Sequence, residues 1–580
     1  MKTTIHKWSR SQAGHSILLV MIISTATFLV LGGLLKWSAG NTTANVRNNQ
    51  YFKTVAAAEA ATEKVIAHLV TDYFEDETMS SDLDRYRALI PTADESPVWG
   101  KYLFSDGAGN TNRTFLTNLP PDSFRVLDSQ YRGLHGFASA FRVISNAREL
   151  GTPFAMTAAL RQDIEVAMIP LFQFAIFYNL DLEINPGPPM AVTGPVHGNK
   201  NIYMRPGEEL RFKSDVTAVG ALVLDRHPDD PLASANGRVI FEAEHDSGVP
   251  SLNLPIGTNN TPVGVRQIVE IPPPSEPLDS PMGRERYYNK ADLIILMQNT
   301  GLKAFSGPKV VPWVDFGTNE IRFFLTNVTF VDQREGRTVR ALELDIAKLY
   351  RWNTNATNRL CPLLQQRSVR TIYIADQRSS AGFLPGVRLV NGQTILHKGL
   401  TIATPHPLYV KGNYNVSLNG TNVPLPGTNT LATRPASLVA DAITVLSGAW
   451  RDENSGLGIS ARNATNTTIN AAFLAGIVPT IPNAYSGGVE NFPRFLENWG
   501  NGRVFTYNGS MVVMFDSKQA TRRWPSTGTV YNPPVRAWSF DQNFTDINKL
   551  PPGTPVARAL FRGKWITMKP GTTEVAGTSN

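Results

Sequence analysis

Residues Ile17 to Leu35 read ILLVMIISTATFLVLGGLL and contain no Asp, Glu, Lys or Arg. As a helix rising 1.5 Å per residue this run is about 28 Å long, close to the hydrocarbon thickness of a bilayer. Lys36 and Trp37 follow it as interfacial anchors, and Lys2, Lys7 and Arg10 precede it. Positive charge stays on the cytoplasmic side, so everything after Trp37 is expected outside the cytoplasm. A cleaved signal peptide is the alternative, because Ser38-Ala39-Gly40 has the small residues of a cleavage site. The run is longer than an ordinary signal-peptide core, which favours a retained membrane anchor bounded by Ile17, Leu35 and Trp37.

The helix is not expected to stop at the membrane. From Asn41 to about Phe74 there is neither proline nor glycine. Val55, Ala58, Thr62, Ile66 and Leu69 recur at helical spacing and form a weakly apolar stripe, and Ala56–Ala61 (AAAEAA) strongly favours helix. One continuous helix over 15–74 would leave the bilayer as a stalk. The alternative is a membrane helix followed by an ordinary helix of the next domain.

A short basic leader ends in Gly14, the uncharged helix begins directly after it, and QYFKTVAAAEAATEKV (Gln50–Val65) follows the membrane run. The leader resembles that of type IV pilins and type II secretion pseudopilins, and the Ala-Glu-Ala stretch resembles the PilX-like minor pilin N-terminus. The resemblance implies a prepilin leader over 1–14, with Gly14 before the prepilin peptidase cut and His15 as the mature N-terminus. It implies a single-pass protein of the bacterial inner membrane, its bulk periplasmic or on a surface pilus, with other pilin-like subunits as partners. Two positions depart from the family pattern. The first mature residue is usually Phe or Met and is His15 here; the fifth is usually Glu and is Leu19 here. That glutamate is thought to neutralise the N-terminus of a neighbouring subunit, and a carboxylate in lipid is costly. Leu19 therefore implies a minor, tip or initiating subunit, not a major pilin.

The remainder reads as α+β, mostly β. Hydrophobic residues are 42% and charged residues 18% of the chain, enough for a folded core. The net charge of +7 is spread over scattered Lys and Arg, so no nucleic-acid partner is expected. Residues 75–165 are mixed α/β and contain DGAGNTN (Asp106–Asn112), a turn with the alternate oxygens of a small calcium loop but no distal glutamate. Residues 166–240 form a β-rich module. Residues 241–380 are expected as an inserted α/β subdomain, entered through the proline-rich Pro272–Pro281 and carrying YNKADLIIL (Tyr288–Leu296). Residues 381–580 form a β-rich C-terminal domain. Short apolar strands punctuated by Gly and Asn suit a β-solenoid, whose coils turn at small or left-handed residues and whose corner Asn can form ladders. No strict period is evident, and a β-sandwich with long loops is the alternative. GPVHGNKNIY (Gly194–Tyr203), YNKADLIIL, PLYVKGNYN (Pro407–Asn415) and GGVENFPRFLENW (Gly487–Trp499) also resemble segments of large bacterial proteins with a PilX-like N-terminus, a resemblance that covers most of the chain and implies no activity.

No HExxH, GxSxG or Walker A pattern occurs, so no catalytic residue and no cofactor is expected. The single cysteine, Cys361, excludes an intramolecular disulfide and reads as a small buried apolar residue. EAEHD (Glu242–Asp246) would place Glu242, Glu244 and Asp246 on one strand face and His245 on the other; it reads as a solvated edge, and no metal is expected. In GGVENFPRFLENW the glycines predict a tight turn and ENFPRFLENW a short helix with Pro493 in its first turn. Phe492, Phe495, Leu496 and Trp499 would pack inward, with Glu490, Arg494 and Glu497 outward or paired. Phe492, Phe495 and Trp499 are at once a candidate polysaccharide-stacking surface and a candidate cap on a β domain. The functional expectation is a structural minor pilin or pseudopilin. A surface adhesin or polysaccharide-binding protein is the alternative, and a β-solenoid polysaccharide lyase or hydrolase a more distant one.

Overall fold

The computed structural model describes residues 13–571 apart from 76–81, 120–122, 128–130, 132, 234, 312, 355–368, 397, 417–429, 431–432 and 525–529. The expectations for Lys2, Lys7, Arg10 and Cys361 fall outside these residues.

Helix α1 runs unbroken from Ala13 to Glu75. Residues 16–49 are exposed throughout, and burial begins at Gln50. From there Ala57, Ala58, Ala61, Val65, Ile66 and Leu69 are buried against an antiparallel sheet. The alanines let the helix approach closely, over Ala147 and Leu160. Further along, Val65, Ile66 and Leu69 meet Phe141, Val143, Ile164 and Val166. Thr62, polar in an apolar stripe, is fully buried and donates its hydroxyl to Ala58 O at 3.0 Å, with Ser145 Oγ at 2.9 Å.

That sheet contains β1 (Tyr102–Ser105), β2 (Phe115–Asn118), β3 (Ser123–Val126), β4 (His135–Glu149) and β5 (Thr157–Pro170), with β4 pairing all the others. Its last member is the far end of the chain. Val556–Met568 pairs antiparallel with β5, from Val556 opposite Pro170 to Met568 opposite Ala159. Residues 171–555 are thus inserted between two neighbouring strands. The strand expected within a C-terminal domain belongs instead to the first sheet, because VARALFRGKWITM carries no signal of which edge it will extend. Arg562 fastens it to the helix through Glu63 (Nη2–Oε2 2.8 Å), and buried Arg558 donates to Tyr73 O and lies over the Tyr73 ring.

Most strands of the insertion stack in parallel, with antiparallel pairs at Leu293–Gln298 and Gly301–Ser306 and at Leu325–Asp332 and Arg337–Asp345. Ile176–Tyr178, Val196–Gly198 and Val216–Ala218 form one row, Leu182–Ile184, Ile202–Met204 and Leu222–Val223 a second, and Met190–Val192, Glu209–Phe212 and Arg238–Phe241 a third. Ile176 pairs with Val196 and Val196 with Val216, a register of 20 residues. Side chains repeat it: Asn199 Nδ2 donates to Asn179 Oδ1 (2.9 Å), Asp181 Oδ1 accepts from Asn201 N (3.1 Å) and Asn185 Oδ1 from Arg205 N (2.8 Å). A Cβ on Gly207 would lie 2.6 Å from Gly187 O, so the second of these stacked corners must be glycine. The chain then crosses to Leu293–Gln298 and coils back, ending with Met511–Asp516 paired to Ile176–Tyr178. One twelve-stranded sheet runs through both stacks. Leu293–Gln298 and Thr371–Asp376 are members of it, so strands of 241–380 share a sheet with the strands on either side. Corner asparagines form a ladder: Asn470 Nδ2 donates to Asn415 O (2.9 Å), Asn508 Nδ2 to Asn470 Oδ1 (2.7 Å) and Ser539 Oγ to Asn508 Oδ1 (2.5 Å). Every non-glycine residue of positive φ among the described residues is Asn, Asn415 included (φ 57°).

Candidate functional site

The exposed half of α1 carries a continuous run of exposed large apolar side chains. Ile17, Leu35 and Trp37 are exposed, as is Leu19 at 60%, and no charged side chain lies between Ser16 and Leu35. It is the one helix among the described residues long and apolar enough to cross a membrane. A rod of this length with none of its own chain over it calls for lipid or other apolar helices as its surroundings. Gly14 and His15 lie in the first turn of α1.

The three aromatics expected as a ligand surface are core. Phe495 and Trp499 are fully buried and Phe492 nearly so; the Phe495 ring meets those of Trp499 and Phe505 edge-on, each at 5.5 Å. No helix forms at ENFPRFLENW. Val489–Asn491 is a single 3-10 turn, and Pro493–Phe495 is a strand parallel to Ile443–Val445. The neighbouring coil offers a ladder of backbone partners, which overrides the helical spacing of the aromatics. Glu490, Arg494 and Glu497 are buried, so the outward alternative fails for all three, while the paired one holds for Arg494. Arg494 pairs with Glu335 at 2.7 Å, and Glu497 accepts from Ser447 N (2.6 Å) and Oγ (2.7 Å).

The string does border a cleft, through its other residues. Gly487, Glu490 and Asn491 line a hollow of about 370 Å³ together with Tyr485, Trp524 and Tyr531. Gly487 has φ +98°, and a Cβ there would lie 2.9 Å from the Trp524 ring. Trp524 Nε1 donates to Tyr531 OH (2.9 Å), the Tyr531 hydroxyl donates to Asn491 Oδ1, and Asn491 Nδ2 donates to Gly487 O (2.5 Å). This closed relay fixes the indole plane. These aromatics were not singled out from the sequence, because Tyr485, Trp524 and Tyr531 meet only through the coils that separate them.

Glu490 is buried beside the cleft. Its Oε1 accepts from Asn185 N at 2.7 Å, its Oε2 has no hydrogen-bond partner, and burial raises its pKa to about 7. A carboxyl whose folded pKa lies above its unfolded value stabilises fully below pH 4.5 or so, and that stability is lost as pH rises through about 7. Glu490→Gln keeps the acceptor for Asn185 N and cannot ionise. It should therefore match wild type near pH 5 and exceed it at pH 8 by up to about 3 kcal/mol, read from urea unfolding at the two pH values. Equal stability differences at both would refute this.

Among the described residues no group of three or more His, Cys, Asp or Glu is placed to hold a metal ion. EAEHD is not one strand: Glu242 lies in the bend between Arg238–Phe241 and His245–Ser247 and pairs with Arg211 at 2.6 Å. In DGAGNTN the Asp106 carboxylate accepts from Ala108 N (2.8 Å), Asn110 N (3.2 Å) and Asn110 Nδ2 (2.7 Å), so the loop satisfies its own acid.

No family model matches the chain, and no curated protein matches it. Among solved structures, the competence-associated pilin ComZ from Thermus thermophilus aligns over 90% of this chain and 98% of its own, at 12% identity and a TM-score of 0.27.

Proposed function

We propose that the chain is a structural minor pilin or pseudopilin of the PilX-like kind, held in the bacterial inner membrane by the exposed half of α1 and presenting a β-solenoid head outside the cytoplasm. The observation that carries this reading is the division of one helix into two halves, the first apolar and bare, the second packed on an antiparallel sheet. Such a helix rests in lipid before assembly and among the helices of other pilin-like subunits after it, keeping the same apolar surroundings in both places. The role is architectural, without catalysis.

Leu19 sets the place in the assembly. A fibre of this chain alone would leave each mature N-terminal ammonium without a carboxylate in an apolar bundle, at about 2.5–3.5 kcal/mol per buried charge on insertion scales. A subunit used once, at the tip or in an initiating complex, meets that cost at most once. The prepilin peptidase is expected to cut after Gly14. Mass spectrometry of the membrane-extracted protein should find His15 as the first residue, and Gly14→Ala should leave a longer, uncut chain. The mature protein should co-purify with smaller pilin-like subunits. An intact Met1, a cut near Gly40, or fibres composed mainly of this chain would each overturn the reading.

A further inference from the structure

We propose that the cleft beside Trp524 binds a neutral sugar ring, as the terminal pyranose of a glycan. Its volume, about 370 Å³, lies at the small end of the range for small-ligand sites, and it suits one or two rings. The Trp524 indole is half-buried and held rigid by the relay through Tyr531 and Asn491. A fixed, partly exposed indole is a platform for the apolar C–H face of a pyranose, and aromatic residues supply contact area at low conformational cost.

The polar groups fit hydroxyls. Glu490 borders the cleft, and its Oε2 is buried without a partner next to Gly488. Behind the Gly488–Asn491 wall lies a smaller cavity of about 20 Å³, lined by Arg334 and Glu183 and sharing Asn491 with the cleft. There Arg334 Nε and Nη1 and Glu183 Oε2 are likewise buried without partners. A space of that size admits one water molecule. The wall thus combines unpaired acceptors with unpaired donors. A hydroxyl, or a water relayed from one, donates to a carboxylate and accepts from a guanidinium, whereas an anion serves only the second and an ammonium only the first.

Charge argues for a neutral ligand. Arg226 pairs through Nη1 with Asp230 at 2.6 Å and keeps one unpartnered buried donor, Nε, and the Arg536 guanidinium donates through Nε to Glu490 O at 3.0 Å with the Glu490 carboxyl close by. An acidic sugar, a phosphate or a nucleic acid would meet Glu490 and Glu183 at the same wall.

The proposal is independent of assembly, because it concerns the single chain. The full-length protein, in detergent, is applied to an array of neutral and acidic glycans. Neutral glycans should bind, Trp524→Ala should weaken binding at least tenfold, and Trp313→Ala, which removes an exposed indole elsewhere (60%), should change nothing. A second measurement needs no variant. The best-bound glycan should slow N-bromosuccinimide oxidation of Trp524 in the wild-type protein at least fivefold, read by peptide mass spectrometry, and leave Trp313 unaffected. Absence of glycan binding, binding confined to acidic glycans, undiminished binding by a folded Trp524→Ala, or unprotected Trp524 would each overturn the proposal.

Discussion

Asp441→Ala should abolish cooperative folding of the stacked coils. Asp441 is fully buried, and its carboxylate accepts from three successive backbone amides, Lys518 N (2.6 Å), Gln519 N (3.1 Å) and Ala520 N (2.8 Å). It also pairs with Arg266 Nη1 at 2.7 Å. One carboxylate thereby fastens the turn after Met511–Asp516, the short helix Pro262–Arg266 and the end of strand Ala436–Ala440. Arg266 is 1% exposed, and without Asp441 its guanidinium keeps one ion pair, to the partly exposed Glu270 at 2.9 Å, and two backbone carbonyls, Asp516 O and Pro405 O, each at 3.3 Å. Stripping one member from a buried pair costs about 3–5 kcal/mol, and each orphaned amide adds roughly 1–3 kcal/mol. The total rivals the whole stability of a typical domain, about 5–15 kcal/mol. Arg266→Met should do less damage, because the carboxylate keeps its three amides. Limited proteolysis and thermal melting of both variants check the order. A variant Asp441→Ala melting within a few degrees of wild type would disprove the argument.

What could be read from the residues divides along a physical line. The continuous helix was legible because its stripe, Val55, Ala58, Thr62, Ile66 and Leu69, is a local pattern that one partner face satisfies. Left-handed corners at Asn were expected only in kind; the structure puts one at Asn415, where a short polar side chain tolerates positive φ. The register of 20 residues was present in Asn179 and Asn199, Pro186 and Pro206, and Gly187 and Gly207. The period does not continue, because the third step is longer: Val216 pairs with His245, where the earlier step pairs Val196 with Val216. Long-range pairing was not legible at all. Nothing in Val556–Met568 announces β5 as its partner, and nothing in Phe492–Trp499 announces a neighbouring coil that turns a helical pattern into a strand. The cleft failed for the same reason. Its glycines stand in the string singled out for its aromatics, but the ring packed against Gly487 is Trp524, brought there by the next coil.

Removing residues 1–40 should release the protein from membranes without unfolding it. The twelve Leu, Ile, Val and Phe residues between Ile17 and Leu35 each favour the bilayer centre by roughly 0.3–0.6 kcal/mol, about 4–7 kcal/mol in all, or a partition factor of roughly 10³–10⁵. The full chain should therefore sediment with the membrane fraction and the shortened chain stay in the supernatant. Folding should survive because residues 16–46 are exposed along their whole length. Contact with the body starts at Arg47, whose guanidinium lies 5.6 Å from the Phe154 ring centre, and at Gln50, whose Nε2 donates to Phe154 O at 2.7 Å. A helix beginning at Asn41 keeps both contacts and the whole buried stripe, and loses only a few frayed residues at its new end. The melting temperature should stay within a few degrees of the full chain. The same cut removes the surface on which other apolar helices would pack, so the soluble form should no longer co-purify with pilin-like subunits. A shortened chain that still sediments would mean a second attachment to the membrane, and one that unfolds would mean that the bare half of α1 packs on its own head. Retained co-purification would place the contacts between subunits on the sheet or the coils, and the assembly role assigned to Leu19 and its neighbours would fall.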